Sequence, residues 1–157
     1  MSMFRSAAAG FAATAPMTLA MEALRATFPH EQHRRMPPRE IVDRTVDKSG
    51  LGAEVDRGDR QLLTTAAHFA FGTFAGALYG SLIDSPKSTP LKGMAYGLAV
   101  WALAYGVGLP SLGLHRAAAD DTEDRNAVLV LSHVVWGAIL GKLSRTSGVF
   151  RVRAYQN

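Results

Sequence analysis

Residues 61–83 and 93–115 are each 23 residues long and carry no formal charge, the second with His115 at its edge. A helix covers the ~30 Å hydrocarbon layer in about 20 residues at 1.5 Å per residue. A soluble bundle would need a polar face on every helix, and these two stretches have none. Residues 6–21 and 126–141 form two shorter uncharged runs. The first continues through Glu22, Ala23 and Leu24. The second continues past Lys142, whose long stem reaches back to the interface. The chain therefore reads as an all-α membrane protein with four transmembrane helices, at 5–25, 61–83, 91–113 and 126–145. Residues 1–157 form one integral membrane domain: hairpin one over 5–83, hairpin two over 91–145, and a short basic tail, 146–157. The first segment lacks a small-x-small site before Arg25 and holds Pro16 mid-way, so it reads as a retained span and not a cleaved signal.

Local chemistry marks the ends. Ser88 or Thr89 before Pro90 starts the third helix, and Asp84-Ser85-Pro86 stops the second. Asp120, Asp121, Glu123 and Asp124 precede the fourth helix, where carboxylates favour the positive dipole end. Gly106, Gly108 and Pro110 loosen the end of the third, and Pro110 predicts a kink or an early stop. The first loop holds Ile41, Val42 and Val46 at helical spacing after Pro37-Pro38. A short amphipathic helix over 37–49, lying on the bilayer surface, is expected there. Arg39 beside the double proline would pair with Glu22 or a loop acid, or meet a lipid phosphate. His30-Glu31-Gln32-His33 brings two imidazoles together, but two ligands do not make a metal site, so no metal is expected.

The positive charge, +4, points to anionic membrane lipids as partners. No basic patch interleaved with aromatics supports nucleic-acid binding. Zero cysteines exclude disulfides, thiolate catalysis and iron–sulfur clusters. Loops one and three hold ten Lys/Arg and the opposite side seven, but the loops also carry the acids. The orientation is left open.

The second and fourth segments match at an offset of 65 residues. Asp59-Arg60, His68, Phe71, Gly72 and Gly76 correspond to Asp124-Arg125, His133, Trp136, Gly137 and Gly141. Two related hairpins are expected, with both histidines about 12 Å along the helix from their arginines. A histidine at that depth should face the bundle interior. Four-residue stripes accompany them: Gly72, Gly76, Gly80; Gly137, Gly141; Gly93, Gly97, with Tyr105 two further steps on; and Gly10, Thr14, Thr18, Glu22. Glycine stripes of this kind are helix-packing devices. His68, His133, Tyr105 and Glu22 are the titratable interior residues of the reading.

Met36-Pro37-Pro38-Arg39, His68-x-x-Phe71 with Tyr79, Gly93-x-x-x-Gly97 leading to Pro110-x-x-Gly113, and His133-Val134-Val135-Trp136 together resemble the YagU-like family of small bacterial inner-membrane proteins. The similarity spans roughly residues 8–142. It implies a multi-pass protein of the bacterial inner membrane and carries no established reaction. The family pattern has a basic residue where this chain reads Thr18-Leu19-Ala20-Met21-Glu22, and a histidine where it has Tyr105.

No nucleophile elbow, phosphate loop or zinc-protease motif is present, so no enzyme is indicated. The leading expectation is a small transport or channel-like module, proton- or ion-linked through its intramembrane histidines, with a pathway between repeats or between protomers of a homo-oligomer. One alternative is a structural or lipid-organising membrane protein. A third is a redox protein holding haem between His68 and His133; otherwise no cofactor is expected.

Overall fold

The computed structural model describes residues 3–28, 35–83 and 89–145. The described residues are helical throughout, joined by turns. Helix α1 is Met3–Thr27, α2 is Pro37–Lys48 and α3 is Arg57–Leu82. Helix α4, Pro90–Leu103, runs on through a π-helical turn, Ala104–Gly108, into a last turn, Leu109–Ser111. Helix α5 is Glu123–Arg145. The His30–His33 fragment, the Asp84-Ser85-Pro86 stop and the 146–157 tail lie outside the described residues.

Three helices are long and apolar enough to cross a membrane: Met3–Thr27, Pro90–Ser111 and Glu123–Ser144. This fits a membrane protein, and large apolar side chains such as Phe4, Leu19, Leu91 and Leu103 stand exposed on the surface. The segment expected as the second span is not among the three. It folds as a 26-residue helix, long enough to cross, but Thr64, Thr65, His68 and three glycines dilute its hydropathy.

The caps follow from the sequence. Asp56 accepts from the amide of Asp59 at the start of α3, and Thr89 accepts from the amide of Lys92 ahead of Pro90 in α4. Pro110 has no amide to donate, and the chain ahead of it takes in one extra residue: Leu109 N–H reaches back five residues to the Ala104 carbonyl. The expected kink is thus a π turn, and α4 continues to Ser111 without stopping early.

Helices α1 and α5 pack against each other at the centre. Helix α3 lies along α1 and α4 along α5. Each outer pair meets at its glycines. A Cβ on Gly10 would stand 2.8 Å from the Gly76 Cα, and one on Gly93 would stand 2.8 Å from the Gly141 amide nitrogen. Gly72, Gly76 and Gly80 lie against Thr14, Gly10 and Ser6, while Gly97, Gly137 and Gly141 lie against His133, Gly93 and Thr89. Such approaches need residues without side chains.

Helix α2 is amphipathic, with Val42 and Val46 buried. Its apolar face is turned onto the end of the bundle, and ion pairs tie it there. Arg60 of α3 reaches Asp43 at 3.3 Å and Asp47 at 2.9 Å. Arg125 of α5 reaches Glu40 at 2.6 Å. Lys48 donates to the Leu112 carbonyl beyond α4 at 2.7 Å.

Candidate functional site

Helices α3 and α4 stand apart along most of their length and meet through Tyr79, Tyr96 and Ala75. At one end the gap is filled by aromatic rings. Tyr79 and Tyr96 meet at a tilt, centroids 5.1 Å apart, Tyr96 and Trp136 likewise at 6.0 Å, and the Tyr96 hydroxyl donates to the Ala75 carbonyl at 2.7 Å. Toward α2 the gap widens into a hollow of about 250 Å³. Met17 and Met21 of α1 form its back wall, and Pro38, Ile41 and Val42 of α2 form its roof.

His68, Tyr105 and His133 all line this hollow. His133 is buried, and its Nδ1 lies 2.8 Å from the Leu129 carbonyl. A carbonyl only accepts, so Nδ1 carries a proton, and Nε2 is the nitrogen left to gain or lose one. His68 is half-buried, and its Nε2 is buried with no hydrogen-bond partner among the described residues. Tyr105, presented by the π turn, meets His133 edge-on at 6.0 Å and His115 at 5.2 Å.

Glu22 is not an interior residue. Its side chain is 53% exposed and pairs with Arg25 at 3.1 Å. The stripe from Gly10 to Glu22 takes three steps of four residues, and each step overshoots a 3.6-residue turn. Glu22 is therefore rotated about 120° from Gly10. Arg39 does not reach Glu22 either: it donates to Asp43 at 3.0 Å and to Gln61 at 3.3 Å, with Pro37 buried and Pro38 in the roof.

The sequence reading missed a polar network above the hollow. The Arg125 side chain is 2% exposed and bonds Glu40, the Arg35 carbonyl at 3.2 Å and Asp121 at 3.2 Å. Asp121 is thus a buried partner and not a solvated cap. His115 Nε2 stands 3.8 Å from the same Glu40 oxygen. Asp43 sits among Arg35, Arg39 and Arg60. Burial alone would raise its pKa, but hydrogen bonds from Arg35 and Arg60 and the Arg39 charge outweigh it and hold the carboxyl below its ordinary value. A signal was available: the matched Asp-Arg pairs at 59–60 and 124–125 supply both arginines that grip α2.

No family model matches this chain, and no curated protein or solved structure is similar to it. Among the described residues there is no group of three or more His, Asp or Glu that would hold a metal ion.

Proposed function

We propose that this chain is a small transport module of the bacterial inner membrane, of the YagU-like family, with four spans built as two related hairpins. The observation that carries the reading is that His68, His133 and Tyr105, from three different helices, line one hollow roofed by a clamped amphipathic helix. Intramembrane ionisable groups mark substrate or proton paths by default. The glycine contacts support the repeat. Gly76 lies against Ser6 and Gly10 as Gly141 lies against Thr89 and Gly93. Arg60 and Arg125 both reach the acids of α2.

The hollow lies between α3 and α4, with Trp136 in its wall beside the Tyr79 and Tyr96 rings. This favours a module that takes its solute from the bilayer over a continuous ion pore. With Nδ1 held by the Leu129 carbonyl, Nε2 of His133 is the nitrogen that would take up and release a proton with that movement.

The test is proton flux into liposomes carrying the purified protein and an entrapped pH dye. Flux above that of empty vesicles, lost in His68→Ala and His133→Ala variants of unchanged melting temperature, is the expected result. Flux equal to empty vesicles, or indifferent to both histidines, would overturn it in favour of a structural, lipid-organising role. For the topology, single cysteines placed at Ala53 and Ala119 of this cysteine-free chain should label from the same side of the membrane. Labelling from opposite sides would remove α3 as a span.

A further inference from the structure

The walls of the hollow say what kind of molecule it accepts. No residue on them carries a formal charge. An ion buried without a partner loses its hydration and gains nothing for it, so the hollow suits an uncharged molecule. Most of its polar groups are already satisfied within the bundle. The Thr14 and Thr64 hydroxyls donate to the Gly10 and Arg60 carbonyls of their own helices, at 2.9 and 2.6 Å. The Trp136 indole donates to the Gly10 carbonyl of α1 at 3.2 Å. His68 Nε2 is covered by its neighbours and is not offered to a ligand.

Two deeply buried side chains on these walls keep a polar atom unmet. They are Tyr105, 7% exposed, at its hydroxyl, and His133, 5% exposed, at Nε2. Neither atom has a hydrogen-bond partner among the described residues, and neither is sealed by surrounding atoms. The two rings touch edge-on, so the unmet atoms belong to one patch of wall. Tyr105 is delivered by the π turn, an irregularity that recurs at functional sites. In neutral His133 the Nε2 accepts, and the Tyr105 hydroxyl donates. A ligand hydroxyl answers both, since its O–H donates while its oxygen accepts. A carbonyl answers Tyr105 alone, and a hydrocarbon answers neither.

The rest of the lining favours a ring. Phe71 and Trp136 supply aromatic faces and edges, and Met17 and Met21 supply thioethers, which make favourable contacts with aromatic rings. An apolar cavity of about 150 Å³ holds one benzene. At about 250 Å³, this hollow holds a substituted ring or two fused ones. We infer that it binds an uncharged hydroxylated aromatic molecule of one or two rings, the hydroxyl meeting Tyr105 and His133 and the ring lying among Met17, Met21, Phe71 and Trp136. This names the solute class of the transport reading above and rests on the hollow being its working site.

The probe is tritiated naphthol, bound to the protein in nanodiscs and read by scintillation proximity, with empty nanodiscs giving the partition into lipid. Saturable binding is expected. As competitors, the methyl ether of naphthol and naphthalene itself should each be at least about fivefold weaker, because they leave the buried acceptor unmet. Naphthoate, which is charged, should not compete. Tyr105→Phe removes one oxygen and should weaken naphthol about two- to tenfold while leaving naphthalene unchanged. His133→Leu should likewise bring naphthol toward naphthalene. Equal weakening of both ligands would show a packing role alone and overturn the inference. So would naphthalene, naphthoate or decanol competing as well as naphthol. If naphthol shows no saturable binding while histidine-dependent proton flux is present, the inference falls and the transport reading stands. Saturable, hydroxyl-dependent binding without flux keeps the site and overturns transport alone.

Discussion

Adding one methyl group at Gly93 tests the packing on which the cleft depends. In α4, a Cβ at this position would stand 2.8 Å from the Gly141 amide nitrogen and closer still to the Gly137 carbonyl oxygen, against 3.4 Å for ordinary contact. Both neighbours are backbone, so no side-chain rotation relieves the clash and α4 must move as a body. Overpacking of this kind costs about 1–3 kcal/mol. Restricting the unfolded chain returns about 0.4–1 kcal/mol. A net loss of about 1–2 kcal/mol is expected for Gly93→Ala. Gly106, in the π turn, has nothing within 4 Å of where a Cβ would stand, so Gly106→Ala should be neutral or stabilising by up to about 1 kcal/mol. The assay is unfolding from mild-detergent micelles by SDS titration, followed by circular dichroism. The two alanines should separate by about 2 kcal/mol. Equal effects, or a destabilising Gly106→Ala beside a silent Gly93→Ala, would refute the close α4–α5 crossing.

Other outcomes follow from the network above the hollow. Arg125→Ala leaves Glu40 and Asp121 without their buried cation, so a loss of about 3–5 kcal/mol is expected in the same titration, and a near-silent variant would show that Arg125 does not hold α2. Asp43 is held below its ordinary pKa, so its contribution is present above the unfolded value of about 4 and lost as pH falls through the lower folded one. The stability gap between wild type and Asp43→Asn should be constant above about pH 5 and close below pH 4; a gap that widens on acidification would contradict the sign. For haem, the detergent-purified protein is expected to show no Soret band before or after dithionite, since the hollow that His68 and His133 line measures only about 250 Å³; a band that vanishes in His68→Ala and His133→Ala would make this a haem protein.

Much of the framework is visible in the chain because it depends on local rules. Pro37-Pro38 opens α2, Thr89-Pro90 opens α4, and Pro110 disturbs the end of α4. Other features are not local. Glu22 continues a stripe on paper but rotates out of the α1 packing face. Arg125 and Asp121 look like a surface charge cluster in sequence, and their burial depends on Glu40, 85 residues away from Arg125. The hollow also escapes a reading by segments, since nothing in α3 or α4 alone says that these two helices meet through Tyr96 and otherwise stand apart.

Long charge-free runs determined by themselves that this chain forms long apolar helices fit for a membrane, because hydropathy sums along the chain and needs no partner. The spacing of its glycines likewise marked where helix backbones are able to approach. Only the tertiary structure decided which stripes meet, that α1 and α5 take the centre, and that α2 is pinned over a cleft by Arg60 and Arg125. These depend on the rotation and register of helices relative to one another, and a one-dimensional pattern fixes neither.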